Sequence, residues 1–374
     1  MRVLTSAAAG GGLGEQLPMA CGRYVLDVGV PTFYGRVTLG EDLSLQFVRE
    51  LPASLRWADL VHVTALWSPS SLLSLSLCLG PLSPLRRPLV LSPRGALLPW
   101  ALSQRGGRKQ SALRLLRPLL QRVDGWHATS EEEAAALGRL RLLGPHAQVA
   151  VVGNGAPLLA DQPPRSHSEH SLLQHPLNQG QPRIVTLGRI HPVKNLELAI
   201  RSLAHLRRLR GHDQATLTII GPERAGEPYG DTLRQLAATL GIAESVSFVG
   251  LQQGAVKDQL LSGADVLWLP SHMESFGNVV VEALAVGTPV VAAQTTPWQD
   301  LELHRAGRWV PPTAQHFAEA TALLLALRSR AEWAAHCRGV AAAHFSWSQR
   351  ERALRRLYDA VLGRATSASP SARP

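Results

Sequence analysis

Short apolar runs alternate with amphipathic stretches along the second half of the chain. Stretches with helical periodicity separate the runs, and Asn195–Leu209 and Thr232–Leu240 are the clearest of them. Apolar runs bounded by Gly or Pro are typical of strands buried on both faces of a parallel sheet. The alternation therefore predicts βαβ units in a doubly wound α/β domain. Its strands are expected at Arg183–Leu187, Thr216–Ile220, Val246–Val249, Asp265–Leu269 and Pro289–Ala292.

The first half repeats this pattern less clearly, which predicts a second α/β domain. Its strands are expected at Leu60–Val63, Leu89–Ser92, Gly125–Ala128 and Val149–Val152. Between the two domains, residues 157–182 contain five prolines, three histidines and several Ser and Gln, so they are predicted to form a linker. A helix over Gln349–Leu362 and a disordered polar tail are expected at the end. The predicted divisions are 1–156, 157–182, 183–345, 346–363 and 364–374.

Composition narrows the class of protein. A length of 374 residues suits two domains, and 45% hydrophobic with 18% charged residues predicts a folded chain. Cys21, Cys78 and Cys337 are too few and too far apart for a disulfide framework or a cysteine-rich zinc site. Neither a spanning helix nor a signal peptide is found. We therefore expect a cytoplasmic protein.

The chain is strongly basic. Its net charge is +10, and only three of its 38 basic residues are lysines. Such a charge favours an anionic partner, which the charge alone does not identify: a phosphate ligand, an acidic lipid surface or a nucleic acid. No aromatic platform or recognition motif for nucleic acid accompanies it, so no nucleic-acid partner is expected.

The most specific segment is residues 271–289, SHMESFGNVVVEALAVGTP, which follows a predicted strand and opens a predicted helix. A loop at the carboxyl edge of a parallel sheet faces the ligand crevice, and the first amides of the helix lie at its positive end. The amides around Gly277, Asn278 and Val279 therefore predict a diphosphate cradle. Glu274 in the loop is suited to accept hydrogen bonds from sugar hydroxyls.

Glu282 lies about two turns along this apolar helix. An unpaired carboxylate there would cost several kcal/mol, so a partner is expected. Two alternatives are open: ribose hydroxyls of a ligand, or a buried arginine.

The Glu274-x7-Glu282 pattern resembles the signature of the retaining GT-B glycosyltransferases of glycosyltransferase family 4. Gly188-Arg189-Ile190-His191-Pro192-Val193-Lys194-Asn195 is similar to the family's basic loop, in which Arg189 and Lys194 would neutralise the donor diphosphate. First-half motifs resemble a branch found in bacterial surface-polysaccharide assembly; they are Asp59–His62, Leu66-Trp67, Ser92–Gly95, Pro99–Leu102 and Val152–Gly155. Further matches in the second half are Gly221–Glu223, Leu240–Ile242, Phe248–Gly250, Ala264–Val266 and Gly287–Val291.

The resemblance implies two Rossmann-like domains facing a central cleft, with the late helix returning to the first domain. It also implies sugar transfer from a nucleotide diphosphate sugar to an acceptor hydroxyl with retention, as in a hexosyltransferase. In these terms Arg189, Lys194 and Glu274 are the catalytic residues, and Gly188, Gly277, Asn278, Val279 and Glu282 bind the donor. No metal or other cofactor is expected, because there is no Asp-x-Asp motif and two cations with a helix end can replace a metal.

The first domain departs from the family pattern. Arg2–Ser6 is similar to the family's second strand, so the first βα unit is expected to be missing unless Met1 is not the true start. Other branches carry a histidine in the acceptor-side loop where this chain has Arg94, and His62 lies nearby in the order of the motifs. Arg94 and His62 are therefore the acceptor-side candidates, with a structural role for His62 as the alternative.

Three further patterns have competing interpretations. Gly10–Gly14 looks like a phosphate loop but lacks a helix behind it, which favours a surface turn. Ser130 with Glu133 predicts a capping box. The leucines and arginines of Ala101–Asp124 predict a basic amphipathic helix. That helix would either lie on an anionic membrane at the inner face of the cell membrane, beside a lipid-linked saccharide acceptor, or pack its leucines in the core.

Two alternatives to an active transferase remain open at this point. A truncated, catalytically silent homologue would bind nucleotide sugar without transferring it. A nucleotide-sugar epimerase of the same architecture would need a different set of acid and base residues.

Overall fold

The structure is a computed structural model, which describes residues 1–8, 16–38, 42–80, 83–104, 107–155, 181–224 and 226–367. The chain divides into two compact units. Unit 1 comprises Met1–Val152 with Glu351–Pro374, and unit 2 comprises Gly153–Arg350. The phosphate-loop candidate Gly10–Gly14 and almost all of the predicted linker lie outside the described residues.

Unit 1 combines a parallel sheet with a smaller mixed sheet. Its strands are β1 (Val3–Ser6), β2 (Tyr24–Asp27), β3 (Val30–Gly35), β4 (Val61–Thr64), β5 (Leu89–Ser92), β6 (Gly125–Ala128) and β7 (Gln148–Val151). Its first five helices are α1 (Leu45–Trp57), α2 (Pro69–Leu79), α3 (Pro99–Ser103), α4 (Gly107–Leu120) and α5 (Glu131–Arg139). The four parallel strands follow the order β4-β5-β6-β7, while β3 pairs in parallel with β1 and antiparallel with β2.

Local chemistry explains how the first helix joins this core. Ser44 caps α1, its hydroxyl accepting a hydrogen bond from the amide of Phe47. Phe47, Leu51 and Leu55 recur at helical spacing and are buried together with Trp126 of β6. One apolar face of α1 thus packs into the core of unit 1.

Unit 2 is a doubly wound domain. Its strands are β8 (Arg183–Leu187), β9 (Thr216–Ile220), β10 (Val246–Phe248), β11 (Val266–Leu269), β12 (Val290–Ala293) and β13 (Gly307–Val310). Its helices are α6 (Leu196–Leu206), α7 (Tyr229–Thr239), α8 (Gly254–Gly263), α9 (Asn278–Val286), α10 (Asp300–Leu303), α11 (Ala314–Leu327) and α12 (Arg330–His344). All six strands are parallel, in the order β10-β9-β8-β11-β12-β13.

The central strands of this sheet are apolar on both faces. Every residue of β11 and β12 is at most 2% exposed, as expected when helices cover both sides of a parallel sheet. The helices pack in two groups, α6 with α7 and α11, and α9 with α8 and α12. At the end of α9, Gly287 adopts a left-handed conformation (φ +101°), and a Cβ there would lie 2.8 Å from Cα of Ala334.

The last helix, α13 (Trp347–Ser367), begins in unit 2 and ends in unit 1. Leu357 and Val361 of this helix are buried against Val90 of β5. The helix is longer than predicted, since it continues beyond Leu362 to Ser367. The expected disordered tail at 364–374 is therefore wrong for the backbone of 364–367, and residues 368–374 lie outside the described part of the chain.

The main departures from the predicted elements lie at sheet edges. β2, β3 and β13 were not predicted, whereas β1 lies within Arg2–Ser6, the segment compared with the family's second strand. β7 begins one residue earlier than expected. The predicted basic helix over Ala101–Asp124 is two helices, α3 and α4. Its leucines are divided: Leu113 and Leu120 are buried, whereas Leu115 is 82% exposed beside exposed Arg114.

Gly125 provides a test of how closely α13 packs on the sheet. A Cβ at Gly125 would lie 2.8 Å from Cγ2 of Val361 and 3.1 Å from Cγ2 of Val90. Overpacking of a close-packed core costs about 1–3 kcal/mol. We expect Gly125→Ala to lower the free energy of unfolding by that amount, measured by urea denaturation.

Gly138→Ala is the matched control, because no heavy atom lies within 4 Å of a Cβ at that position in α5. It should leave stability unchanged or raise it by up to about 1 kcal/mol through helix propensity. Equal effects of the two substitutions would contradict the described packing of α13.

Candidate functional site

Two loops meet where the strand order of unit 2 reverses. β9 and β10 lie on one side of β8, whereas β11, β12 and β13 lie on the other. Because all strands are parallel, the loops after β8 and β11 leave adjacent positions of the carboxyl edge in different directions. Such a switch point forms a crevice that binds ligands in open α/β sheets. The first loop, 188–195, is one that the sequence singled out. The second loop, 270–277, includes the beginning of the other segment that it singled out, 271–289.

The first loop turns tightly after β8. Gly188 has φ +152°, and a Cβ there would lie 3.0 Å from Cε of Lys194. Pro192–Lys194 forms a 3-10 turn capped by His191, whose Nδ1 accepts a hydrogen bond from the amide of Val193 at 3.2 Å. The turn folds Lys194 back over Gly188, while Arg189 stays exposed.

The two loops are hydrogen-bonded to each other. The amide of His272 donates to the carbonyl oxygen of Val193 at 2.9 Å, and Nδ2 of Asn195 donates to that of Pro270 at 3.1 Å. Asn195 makes this bond from a left-handed conformation (φ +49°). The relative position of the loops is therefore fixed by their backbones as well as by their side chains.

An ion pair joins the loops at the centre of the site. Nζ of Lys194 lies 2.6 Å from Oε1 of Glu274, and their side chains are only 18% and 11% exposed. Oγ of Ser271 donates to the same Oε1 at 2.7 Å. Oε2 of Glu274 makes no hydrogen bond with the described residues. The structure thus brings together Lys194 and Glu274 and leaves one carboxylate oxygen able to accept a further bond.

The helix after the second loop has an open N-terminus. Gly277 precedes α9 in a left-handed conformation (φ +85°), and no side chain caps the helix. The first amides of α9, at Asn278 and Val279, therefore lie at the positive end of the helix dipole, a favourable place for an anion. Oδ1 of Asn278 accepts a hydrogen bond from Nδ2 of Asn154 at 2.6 Å.

Glu282 has a protein partner that the sequence did not identify. Its Oε2 lies 2.9 Å from Nζ of Lys257 on α8, and the side chains are 27% and 24% exposed. The expected alternative of a buried arginine is wrong: the partner is a lysine, and the pair is partly exposed. The rarity of lysine is the one feature of the sequence that pointed to this partner, since Lys194 and Lys257 are two of only three lysines.

His62 lies in unit 1, in a chain of hydrogen bonds that reaches α13. Its Nδ1 is 2.7 Å from the hydroxyl of Tyr358, and its Nε2 is 2.8 Å from Oγ of Ser92. Oγ of Ser92 is also hydrogen-bonded to Nδ1 of His127 at 2.7 Å. Nε2 of His127 lies 2.8 Å from the carbonyl oxygen of Val152. Both ring nitrogens of His62 are thus engaged.

The direction of this chain follows from its last bond. A carbonyl only accepts, so Nε2 of His127 donates to Val152, and in a neutral ring Nδ1 then accepts from Ser92. Ser92 in turn accepts from Nε2 of His62, whose Nδ1 accepts from Tyr358. Burial, together with the neighbouring His127 and Arg94, lowers the pKa of His62 to about 3, and burial also lowers the pKa of His127. Both rings are therefore neutral near pH 7.

Arg94 lies at the end of β5, next to a buried carboxylate. Arg94 and Gly95 both have positive φ (+54° and +81°), and the amide of Gly95 donates to Oε1 of Glu133 at 2.5 Å. Oε2 of Glu133 accepts from the amide and the hydroxyl of Thr129 at 2.8 and 3.0 Å. Ser130 caps α5 as predicted, but Glu133 joins two loops of unit 1 and does not complete the expected capping box.

No helix of the described chain is long and apolar enough to cross a membrane. Within the same residues, no three His, Cys, Asp or Glu side chains gather as a metal site. The predicted site residues fall into two sets: Gly188, Arg189, Lys194, Glu274, Gly277–Val279 and Glu282 in unit 2, and His62 and Arg94 in unit 1.

Family models match both parts of the chain. The model described as "Glycosyl transferase 4-like domain" matches residues 1–155, and the model described as "Glycosyl transferases group 1" matches residues 169–338. The D-inositol 3-phosphate glycosyltransferase of Nocardia farcinica is 33% identical over 259 residues, which cover 66% of this chain and 54% of that relative. Its counterpart in Rhodococcus erythropolis is 34% identical over 167 residues, 44% and 37% of the two chains. The chain thus spans about half the length, or less, of these curated relatives.

Solved structures share the fold over most of the chain. Sucrose-phosphate synthase from Thermosynechococcus elongatus matches with a TM-score of 0.72 at 22% identity, covering 94% of this chain and 87% of that one. Anabaena HepE in complex with UDP and glucose matches with a TM-score of 0.69 at 22% identity, covering 88% and 86%. Both family models describe glycosyltransferase domains, and the shared fold confirms the predicted fold class, the α/β fold with parallel sheets found in GT-B glycosyltransferases.

The neutral histidines predict a loss of stability in acid. An unfolded histidine binds a proton near pH 6.5, whereas folded His62 resists protonation until about pH 3. The unfolded state therefore binds more protons between these values, and stability falls as the pH falls. From pH 7 to pH 5, His62 should cost about 2 kcal/mol, and His127 should add to this loss.

Urea denaturation of wild type and His62→Asn at pH 7, 6 and 5 would measure this effect. The stability difference between the two should shrink by about 2 kcal/mol over that range. Gln104→Asn, at an exposed position of unit 1, removes no titratable group and is the control; its pH dependence should match that of wild type. A parallel pH dependence for wild type and His62→Asn would mean that His62 is not held neutral.

Proposed function

We propose that the chain is a hexosyltransferase that moves a sugar from a nucleoside diphosphate sugar to an acceptor hydroxyl, with retained anomeric configuration and without a metal ion. The observation that carries this proposal is the meeting of Lys194, Glu274 and the open N-terminus of α9 at the switch point of unit 2. The solved structures of HepE with UDP and with UDP-glucose support a nucleotide-sugar donor.

The diphosphate would bind between the first loop and α9. The amides of Asn278 and Val279 offer donors at a positive helix end, and Lys194 offers an ammonium beside it. Exposed Arg189 is able to reach a ligand without giving up a partner among the described residues. These groups supply the positive charge that a metal ion supplies elsewhere, which is the basis of the proposed metal independence.

Two carboxylates would hold the sugars of the donor. Glu274 keeps Oε2 for a hydroxyl of the transferred sugar, while Lys194 and Ser271 fix its orientation through Oε1. Glu282 is partly exposed beside Lys257, so its carboxylate is accessible to ribose hydroxyls. Both residues would act by positioning the donor.

The chemical step needs stabilisation of the leaving group. Negative charge grows on the diphosphate as the glycosidic bond breaks, so fixed cations and amides aimed at it stabilise the transition state more than the ground state. Glu274 is oriented by Lys194 and Ser271 to position the donor sugar, so we assign no side chain as the base. The departing diphosphate oxygen would then take the proton of the acceptor hydroxyl, which brings the acceptor to the face that the leaving group vacates and retains the configuration.

The acceptor is proposed to be a saccharide, free or lipid-linked, in surface polysaccharide or glycolipid synthesis. WaaG, a glycosyltransferase involved in lipopolysaccharide biosynthesis, shares the fold with a TM-score of 0.63 at 17% identity. Exposed Arg108, Arg114 and Leu115 on α4 would suit an anionic membrane surface at which a lipid-linked acceptor is presented.

An inositol phosphate is the second candidate acceptor. The curated relatives are named for D-inositol 3-phosphate. Arg94, a cation at the carboxyl edge of the unit 1 sheet, would suit a phosphate-bearing acceptor.

The donor assay tests the proposed reaction. The purified chain is incubated with UDP-, GDP-, ADP- and dTDP-sugars and with either lipid-linked saccharide or inositol phosphate, with and without EDTA. We expect one donor to be consumed at an unchanged rate in EDTA, and NMR of the product to show the donor's anomeric configuration. Binding without turnover by either acceptor would favour the silent homologue, and an inverted product would exclude the proposed mechanism.

Lys194→Gln tests the diphosphate assignment. Loss of a charge-assisted hydrogen bond should raise the Kd of the preferred nucleoside diphosphate by about 10- to 100-fold, measured by calorimetry. Arg201→Gln removes a cation from the exposed face of α6 and should leave the Kd within about twofold. The same weakening in both variants would assign the effect to net charge and reject a role for Lys194 in the site.

A further inference from the structure

A third loop at the same sheet edge braces the second. The hydroxyl of Thr295, after β12, donates to the carbonyl oxygen of Ser271 at 2.6 Å. Nε1 of Trp298 donates to the carbonyl oxygen of Phe276 at 2.5 Å. The two bonds hold the beginning and the end of the loop that carries Glu274. They come from the β12 side of β11, whereas Lys194 lies on the β8 side.

The indole of Trp298 is held in one position. It is 2% exposed, and its ring packs against those of Phe276 and Phe345, with centroids 5.1 and 5.6 Å away. Tilted rings at such distances attract each other beyond the area they bury. The direction of the Trp298 N–H is therefore set by packing and not by its bond to Phe276 alone.

Trp298 also lies against Gly277, the residue that precedes α9. A Cβ on Gly277 would lie 2.9 Å from Nε1 of Trp298, so the indole fills the space beside Gly277. Gly277 has φ +85°, and this turn aims the amides of Asn278 and Val279 out of the helix end. The position of Trp298 thus limits where the chain can go between Phe276 and the first amides of α9.

We propose that Trp298 is a positioning residue for the diphosphate: by holding Phe276 and bounding Gly277, it sets the direction of the first amides of α9. The inference rests on the proposed function, since it assigns those amides to the donor's phosphates. The proposal predicts different effects on the two parts of the nucleotide. Loss of the indole N–H weakens binding of the diphosphate and leaves binding of the nucleoside part unchanged.

Trp298→Phe keeps an aromatic ring and removes the N–H. Trp333→Phe is the matched control, because Trp333 is also buried in unit 2 and its Nε1 also donates to a backbone carbonyl, that of Leu324, at 3.0 Å. UDP, GDP and ADP are titrated by calorimetry, and the nucleoside of the best binder by NMR. We expect Trp298→Phe to weaken the diphosphate about tenfold relative to Trp333→Phe, with nucleoside affinity equal in the two variants.

Two results would overturn the proposal: equal diphosphate affinity in the two variants, or an equal loss for diphosphate and nucleoside. Hydrogen exchange of the ligand-free protein adds a readout that needs no ligand. Amides at 276–280 should exchange faster in Trp298→Phe than in Trp333→Phe. If the wild-type chain binds no nucleoside diphosphate, the proposed function fails; unchanged exchange at 276–280 shows separately that Trp298 does not hold the loop.

Discussion

The Lys194–Glu274 ion pair joins the two loops on which the candidate donor site depends. Neither charge is well solvated, and each relieves the desolvation of the other. The pair lies where the strand order reverses, because only there do two loops of a parallel sheet leave adjacent strands in different directions. Ser271 holds the carboxylate from its own loop, so the ammonium can turn towards an anion while Glu274 keeps a hydrogen bond.

The main cluster of polar side chains differs in kind between the two units. In unit 2 the polar centre is charged, and positive groups and a helix end share one edge with carboxylates. In unit 1 the centre is a neutral chain, from Tyr358 through His62 and Ser92 to His127, that ends on a backbone carbonyl. A satisfied neutral chain makes a rigid support, which is the alternative role expected for His62. Unit 1 also buries one carboxylate, that of Glu133, which accepts hydrogen bonds from Gly95 and Thr129.

The sequence predicts elements and contacts well where the interacting residues are close along the chain, and poorly where they are far apart. β5, β8 and β9 were predicted to the residue. β5 is buried at every position, as expected for a strand with an apolar run in a parallel sheet. β13 was missed because it begins with Gly307 and carries half-exposed Arg308 at the sheet edge. Loop spacing identified Lys194 and Glu274, but Lys257 and Trp298 act on partners 25 and 22 residues away, and no local pattern encodes those contacts. The same applies to Glu133, whose capping position is local and whose bond to Gly95 is not.

The aromatic packing of the second loop extends to residues near both ends of unit 2. A Cβ on Gly153, the first residue of unit 2, would lie 2.3 Å from Cε2 of Phe276, so that backbone rests directly on the ring. Near the end of unit 2, Phe345 packs against Trp298. A Cβ on Gly155 would lie 2.7 Å from the ring of Trp347. Close-packed rings do not yield independently. A shift of Phe276 would therefore displace Gly153 and Trp298 together, so the second loop moves only with its packing partners in unit 2.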